Sequence, residues 1–302
     1  MDYIVRATAG GDAIRAFAIS GKDMVTFAKE AHGTAPVVTA ALGRMLMAGS
    51  MMGVMQKSEN DMLTLQIISD GPIKGITVTA DSKGNVKGFA NNPNVSDVAP
   101  KWPGKLDVGI AIGPGMLRVI KDMGLKDPYV GTVELQTGEI AEDLTYYFAI
   151  SEQIPSSVGL GVLIDTDNSI KCAGGFIIQL MPFTPEDVIA KLEKNLANLP
   201  SVTDMLSGNY ELTDGQEGKP MSAEDMLYRV LDGLGVEIQE RYENLGFRCD
   251  CSRERISERL AVLNKNDMDD IIADGKPIEV KCQFCNHKYN FDIDELKKIR
   301  KY

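Results

Sequence analysis

Four of the five cysteines in this 302-residue chain fall within 37 residues, as Cys249-Asp250-Cys251 and Cys282-Gln283-Phe284-Cys285. Thiolate is a soft ligand, and two close pairs are how small tetrahedral zinc sites are built, because pairing ligands along the chain reduces the entropy lost on coordination. The 30 residues between the pairs allow a compact helical excursion that brings both onto one ion. Cys249, Cys251, Cys282 and Cys285 are therefore the expected ligands of one Zn2+ per chain. CxxC is common in zinc modules, whereas CxC is unusual. A Cys249–Cys251 disulfide would close a very small ring, and strained disulfides are easily reduced, which suits a reversible switch better than a permanent brace. Zinc keeps its sulfurs as thiolates, the form oxidants attack, so such a site can pass to disulfides and lose its metal. The local fold would go with the metal, since binding free energy in such modules is folding free energy. Two other readings stay open on these residues: a constitutive binding module with purely structural zinc, and a thiol oxidoreductase using the CxxC pair.

Other residues able to do chemistry are less well placed. His287 could be a fifth ligand, but four thiolates already fill a tetrahedron, so a non-ligand role is expected. Cys172 stands alone in an apolar run near Phe176, Ile177 and Ile178 and reads as an inert buried thiol. Gly113-Pro114-Gly115 lacks the Lys and Ser/Thr of a P-loop, Gly159-Leu160-Gly161 is a lone GxG, and no GxSxG occurs. Glu139, Glu142 and Asp143 fit the acidic first turn of a helix. No motif requires an enzyme.

Charge narrows the partners. The chain carries 32 Lys plus Arg against 43 Asp plus Glu, a net charge of -11, which repels a phosphate backbone. From Cys249 to the C-terminus the counts are equal, 11 and 11, and Lys297, Lys298, Arg300 and Lys301 read as a helix end complementing its dipole. Nucleic acid is thus not an expected partner. The N-terminus lacks the basic and apolar regions of a secretory signal, so the expected location is the reducing cytoplasm. Val37–Met55 carries Arg44 as its one charge and has Gly49 and Gly53 at GxxxG spacing, which invites a membrane reading. Thr39, Arg44, Ser50 and Pro36 at a first helical position favour a buried core helix instead, its methionines filling gaps.

The elements that must position the cysteines follow from periodicity. Alternation predicts strands around Tyr3–Ala7, Ile14–Ala18, Leu63–Ile67, Ile76–Val78, Leu117–Ile120, Val130–Leu135, Val158–Ile164 and Ile170–Leu180. Helices are expected at about Asp23–Ala31, Val37–Met55 and Glu139–Phe148, the last burying Tyr146, Tyr147 and Phe148. Strands outnumber helices without βαβ alternation, so the class is α+β. The expected organisation is a sheet-containing domain over 1–181, a helical linker over 182–247 and a zinc-binding switch over 248–302. The linker should hold short helices capped by Thr184 with Pro185 at N1, by Ser201 and by Ser222, with less core than the sheet domain. Its Gly208–Pro220 stretch is polar. In the switch, Ser252, Asn266 and Asp292 are expected caps, and Ile278–Val280 and Tyr289–Phe291 a hairpin around CxxC.

The CxC-x30-CxxC array within Phe247-Arg248-Cys249-Asp250-Cys251-Ser252-Arg253-Glu254-Arg255 closely resembles the signature of the redox-regulated 33 kDa heat-shock chaperonin family. Gly113-Pro114-Gly115, Gly138 to Asp143, Ser151 to Ser156 and Ala173 to Phe176 are also similar to that family's segments, so the resemblance covers most of the chain. It implies an ATP-independent holdase, inactive when reduced and zinc-bound, that captures unfolding client proteins after oxidation. It further implies disulfides Cys249–Cys251 and Cys282–Cys285, zinc release, unfolding of the switch, loosening of the linker and a homodimer on activation.

Overall fold

The computed structural model describes residues 1–95, 98–99, 105–211 and 216–300. The chain divides into two compact units, Met1–Phe247 and Arg248–Tyr302. The fold is α+β.

The first unit opens with β1 (Tyr3–Ala9), β2 (Ile14–Ser20), α1 (Lys22–His32) and α2 (Pro36–Val54). It continues through β3 (Met62–Ser69), β4 (Ile76–Asp81), β5 (Val86–Ala90), α3 (Val108–Ile112), β6 (Gly115–Asp122), β7 (Tyr129–Glu134) and α4 (Ala141–Tyr147), then a π-helical turn. β8 (Ser156–Ile164), β9 (Ile170–Leu180), α5 (Glu186–Ala197), α6 (Val202–Ser207), α7 (Ala223–Val230) and β10 (Glu237–Tyr242) complete it. Two antiparallel sheets form, in the orders β10-β1-β2-β9-β8 and β5-β4-β3-β6-β7.

α2 packs against β3, β4 and β5 of one sheet and against β2, β8 and β9 of the other. A helix apolar on every side is one buried on every side; 94% of its most apolar window is enclosed by protein, with Met45, Met47, Met51 and Met52 in the core. The two glycines at GxxxG spacing bring it close to β4. A Cβ on Gly49 would stand 2.9 Å from Val78 Cγ1, and one on Gly53 would press into the carbonyl oxygen of Asp81.

The first sheet is buried on both faces. Ile4, Phe17, Ile19 and Ile177 point to α2, while Val5, Ala7, Ala16, Ala18, Phe176 and Ile178 point to a second core closed by Leu192, Met205, Met226, Leu227 and Val230 of α5 to α7. The region expected as helical connectors is thus a layer on the sheet, and it ends in a strand, β10, that pairs with β1. That strand is exposed along most of its length and reads Glu-Ile-Gln-Glu-Arg-Tyr, so it offers no apolar alternation, as befits a charged edge. Arg241 lies over the Tyr3 ring at 3.8 Å and pairs with Glu224, fixing β10 to α7. Of the expected Gly208–Pro220 stretch, residues 212–215 lie outside the described residues.

Two local expectations in this unit need correction. The Thr184 hydroxyl donates to the carbonyls of Ala13 (2.9 Å) and Met181 (2.7 Å), so Pro185 takes the cap and α5 starts at Glu186. Tyr147 and Phe148 are buried, but Tyr146 lies on the outer side of α4 and is exposed. Ser201 and Ser222 cap α6 and α7 as expected, Ser222 in a capping box with Asp225.

The second unit contains α8 (Arg253–Ala261), α9 (Lys265–Ala273), β11 (Ile278–Lys281), β12 (Lys288–Phe291) and α10 (Ile293–Ile299). Ser252 caps α8 and Asp292 caps α10 in a capping box with Glu295. α9 starts earlier than expected: Asn264, not Asn266, is its cap, the side-chain oxygen accepting the Asn266 N–H at 2.9 Å.

Helix propensity alone favours Ala over Gly in a helix by about 1 kcal/mol. At Gly53 the added methyl meets backbone that cannot rotate away, and overpacking costs typically ~1–3 kcal/mol. Gly53→Ala is therefore expected to lower stability by ~1 kcal/mol in urea unfolding. A raised midpoint would show that α2 can shift on β4 without loss.

Candidate metal centre

The second unit has little core of its own. Among its described residues the buried apolar cluster is Leu260, Met268, Phe291 and Leu296, one side chain each from α8, α9, β12 and α10. Arg253 ties these elements together: its guanidinium lies 4.5 Å from the Phe291 ring centroid and donates to Glu295 (2.7 and 2.9 Å) and to the Asn290 carbonyl (2.7 Å).

The cysteines arrive from two directions. Cys249 and Cys251 precede α8, and Arg255 on that helix pairs with Asp250 between them. Cys282 and Cys285 sit in the turn between β11 and β12, where the Cys282 N–H donates to the His287 carbonyl (2.9 Å) and the Asn286 N–H donates to the Cys282 carbonyl (2.7 Å). Asn286, at φ 60°, reverses the chain, a conformation Asn tolerates better than most residues.

All four Sγ atoms lie within 4.8 Å of one another. Cys249 and Cys282 are 3.6 Å apart and Cys251 and Cys285 3.4 Å, as separate thiols. Zinc–thiolate bonds of about 2.3 Å imply a tetrahedron with edges of roughly 3.8 Å, so the cluster has the size such an ion needs. The surroundings act on the thiols in opposite senses. Burial works against the Cys282 thiolate, yet the N–H groups of Cys285 and Phe284 donate to it and leave its pKa below the ordinary thiol value. Burial pushes the Cys285 thiol up to about 11 and Cys249 higher still, against N–H donors from His287 and Cys251 respectively. The Tyr289 hydroxyl donates to Cys251 Sγ at 3.2 Å. Each sulfur thus receives a donor, and the four together can hold a metal ion.

His287 is not in this cluster; its ring packs edge-on against Tyr289 at 4.8 Å. Tyr289 was expected only as a strand residue, and its position four residues beyond Cys285, across a tight turn, is the signal that could have marked it. Cys172 pairs with Leu163 across β9 and β8 and is half-buried, less enclosed than expected, with its thiol pushed up by burial. The acidic cluster at Glu139 is structural. Glu139 pairs with Arg44 at 2.7 Å, and buried Asp143 accepts N–H groups of Gln136, Thr137, Gly138 and Ile140, pinning the loop before α4. In the C-terminal basic patch Lys297 pairs with Asp294 and Arg300 with Asp269, and Lys301 lies outside the described residues.

Comparison with known proteins places this arrangement. The family model described as Hsp33 protein matches residues 2–292. The 33 kDa chaperonin of Agathobacter rectalis is 59% identical over 299 residues, 99% of each chain. That of Clostridioides difficile is 50% identical over 301 residues, again 99% of each. The crystal structure of the 33 kDa chaperonin (heat shock protein 33 homolog) from Thermotoga maritima aligns with a TM-score of 0.87 at 35% identity, covering 99% of this chain and 97% of that one.

Groups that hydrogen-bond a metal ligand typically change affinity by about 10–100-fold when removed. Tyr289→Phe is expected to weaken metal binding to the reduced protein by about tenfold or more, measured by competition with a chromophoric chelator. Unchanged affinity would reduce the Tyr289–Cys251 contact to packing.

Proposed function

The chain belongs to the Hsp33 chaperone family, and from that premise we propose that it is a redox-gated, ATP-independent holdase of the cytoplasm. The observation that carries the reading is the four-thiol cluster in a unit with so small a core. In the reduced state Cys249, Cys251, Cys282 and Cys285 hold one Zn2+, which supplies the cross-link that the apolar core cannot. The division of labour is a sheet core over 1–181, a covering layer over 182–247 and the switch over 248–302.

Activation is an oxidation with a balanced ledger of electrons. Cys249 and Cys251 form one S–S bond and Cys282 and Cys285 another. Each pair of thiolates gives up two electrons to one hydrogen peroxide, whose O–O bond breaks to give two hydroxide ions, which solvent protons convert to water. Sulfurs so joined no longer bind metal as thiolates. Structural zinc in small modules contributes apparent binding free energies of about 10–16 kcal/mol, comparable to the entire stability of an ordinary domain, about 5–15 kcal/mol. The unit therefore unfolds when the cross-link goes. The layer then loosens, and the sheet face bearing Val5, Ala7, Phe176 and Ile178 becomes available to unfolding clients. Exposed apolar surface of that kind also favours association of two chains, the homodimer of the active state.

The direct test is light scattering from a thermally unfolding client, with the protein added either reduced and zinc-loaded or after mild peroxide treatment at elevated temperature. Suppression by the oxidised form alone, with release of one Zn2+ per chain, is expected. Replacing Cys249 and Cys251 with Ser should abolish the peroxide response. Equal suppression by both forms would mean a constitutive binding module, and unaltered peroxide activation of the double variant would remove the CxC pair from the switch.

A further inference from the structure

The last residues of the first unit do something that neither the sheets nor the metal cluster requires. β10 ends at Tyr242, and Asn244, at φ 60°, turns the chain. Leu245-Gly246-Phe247 then runs beside β5, the end strand of the second sheet. The Val86 N–H donates to the Gly246 carbonyl at 2.9 Å, and Val86 and Phe247 form an isolated parallel bridge. Leu245 is 7% exposed and seats over Gly84, where a Cβ would stand 3.2 Å from Leu245 Cδ2 and 3.1 Å from Val54 Cγ1. Phe247 packs on Phe27 with ring centroids 4.7 Å apart. Two residues further along β5, His32 Nε2 donates to the Gly88 carbonyl at 3.1 Å, which closes the edge beyond this short site.

This is the chemistry by which a sheet edge binds an extended peptide. A main-chain hydrogen bond supplies affinity without regard to sequence, and side chains two residues apart enter apolar seats. The occupant is one bridge long, so it is a weak one, and Arg248 alone separates it from Cys249. We propose that the β5 edge, with its Gly84 seat and Phe27 ring, is a strand-addition site for extended apolar client segments of the Leu-x-Phe type. Leu245–Phe247 fills it as an internal surrogate until the second unit unfolds. The client identity rests on the holdase reading; the site itself rests on the seated segment. A competing internal occupant lowers the apparent affinity of any external one by the fraction of time the site is filled.

The probe is a fluorescent peptide copying residues 242–248, added to full-length, reduced, zinc-loaded protein and followed by anisotropy. Phe247→Ser weakens the surrogate and leaves the seats intact, so it is expected to bind the peptide about tenfold or more tighter than the parent chain. Adding Phe27→Ser removes a seat and should cancel that gain. Phe27 is 46% exposed and Phe247 is half-buried at the margin of the core, so neither substitution replaces a fully buried side chain. If Phe247→Ser fails to fold, Phe247→Leu, which keeps an apolar side chain without the ring, takes its place. Peptide affinity equal in parent and variant, or a gain that survives Phe27→Ser, would overturn the proposal. Light scattering separates the two readings. Peptide binding without protection of a client removes the holdase and leaves the site, whereas redox-gated protection without peptide binding removes the site alone.

Discussion

The second unit cannot be understood from its apolar contacts. Its helices and hairpin meet in Leu260, Met268, Phe291 and Leu296, and each such side chain contributes on the order of 1.5–3 kcal/mol on burial. Small domains bury too little surface to offset the entropy of ordering their chain, which is why natural ones carry disulfides or metals. Here four sulfurs from two ends of the unit converge, and the capped helices and Arg253 clamp bring them there. A metal ion held by these sulfurs would cross-link the segment before α8 to the turn between β11 and β12.

The first unit follows the opposite logic. α2 is enclosed between two sheets and presents large side chains to both, so the inner core has no inexpensive plane of separation. The outer face of the first sheet differs. Its strands present Ala7, Ala9, Ala16 and Ala18 there, small side chains that let helices approach, beside the larger Val5, Ile14, Phe176 and Ile178. α5, α6 and α7 hold to that face through the buried Leu192, Met205, Met226, Leu227 and Val230, whereas the partly exposed ion pair of Arg241 with Glu224 is worth little in water. The same sheet thus has one face packed on α2 and the other on the helical layer.

These facts decide which parts were legible in the sequence. β1 to β4, β6 to β9, α1, α2 and the CxxC hairpin follow from alternation, turn residues and caps, because in each the side-chain period and the local chemistry agree. The cysteine cluster was legible because ligand spacing is itself a geometric statement. β10 was not, since an edge strand exposed along its length carries no apolar signal and takes its position from β1. The role of 182–247 as a covering layer was hidden for a related reason. Ala7, Ala9, Ala16 and Ala18 lie on the outer face of β1 and β2, and alanine there reads as filler until helices are seen to lie on it. Tyr289 was missed because a donor to a sulfur is recognised by distance and not by residue type.

Chain order then links the covering layer to the unit that carries the four thiols. Residues 182–247 leave the first sheet as helices, return to it as β10 and end at the β5 edge of the second sheet, so this one segment touches both sheets of the core. The first sulfur follows two residues after Phe247, a span of at most about 7 Å of extended chain. A segment so tethered keeps its place most easily when the residues beyond it are ordered, because the loss of conformational freedom at its end is then already met. When those residues become a random chain, that help disappears, and a contact of one backbone bond and two side chains must stand alone. This short attachment therefore lies next to the four-thiol cluster in the chain, and on the proposed redox-gated reading the sequence of elements, with no change in any contact inside the core, is enough to couple them.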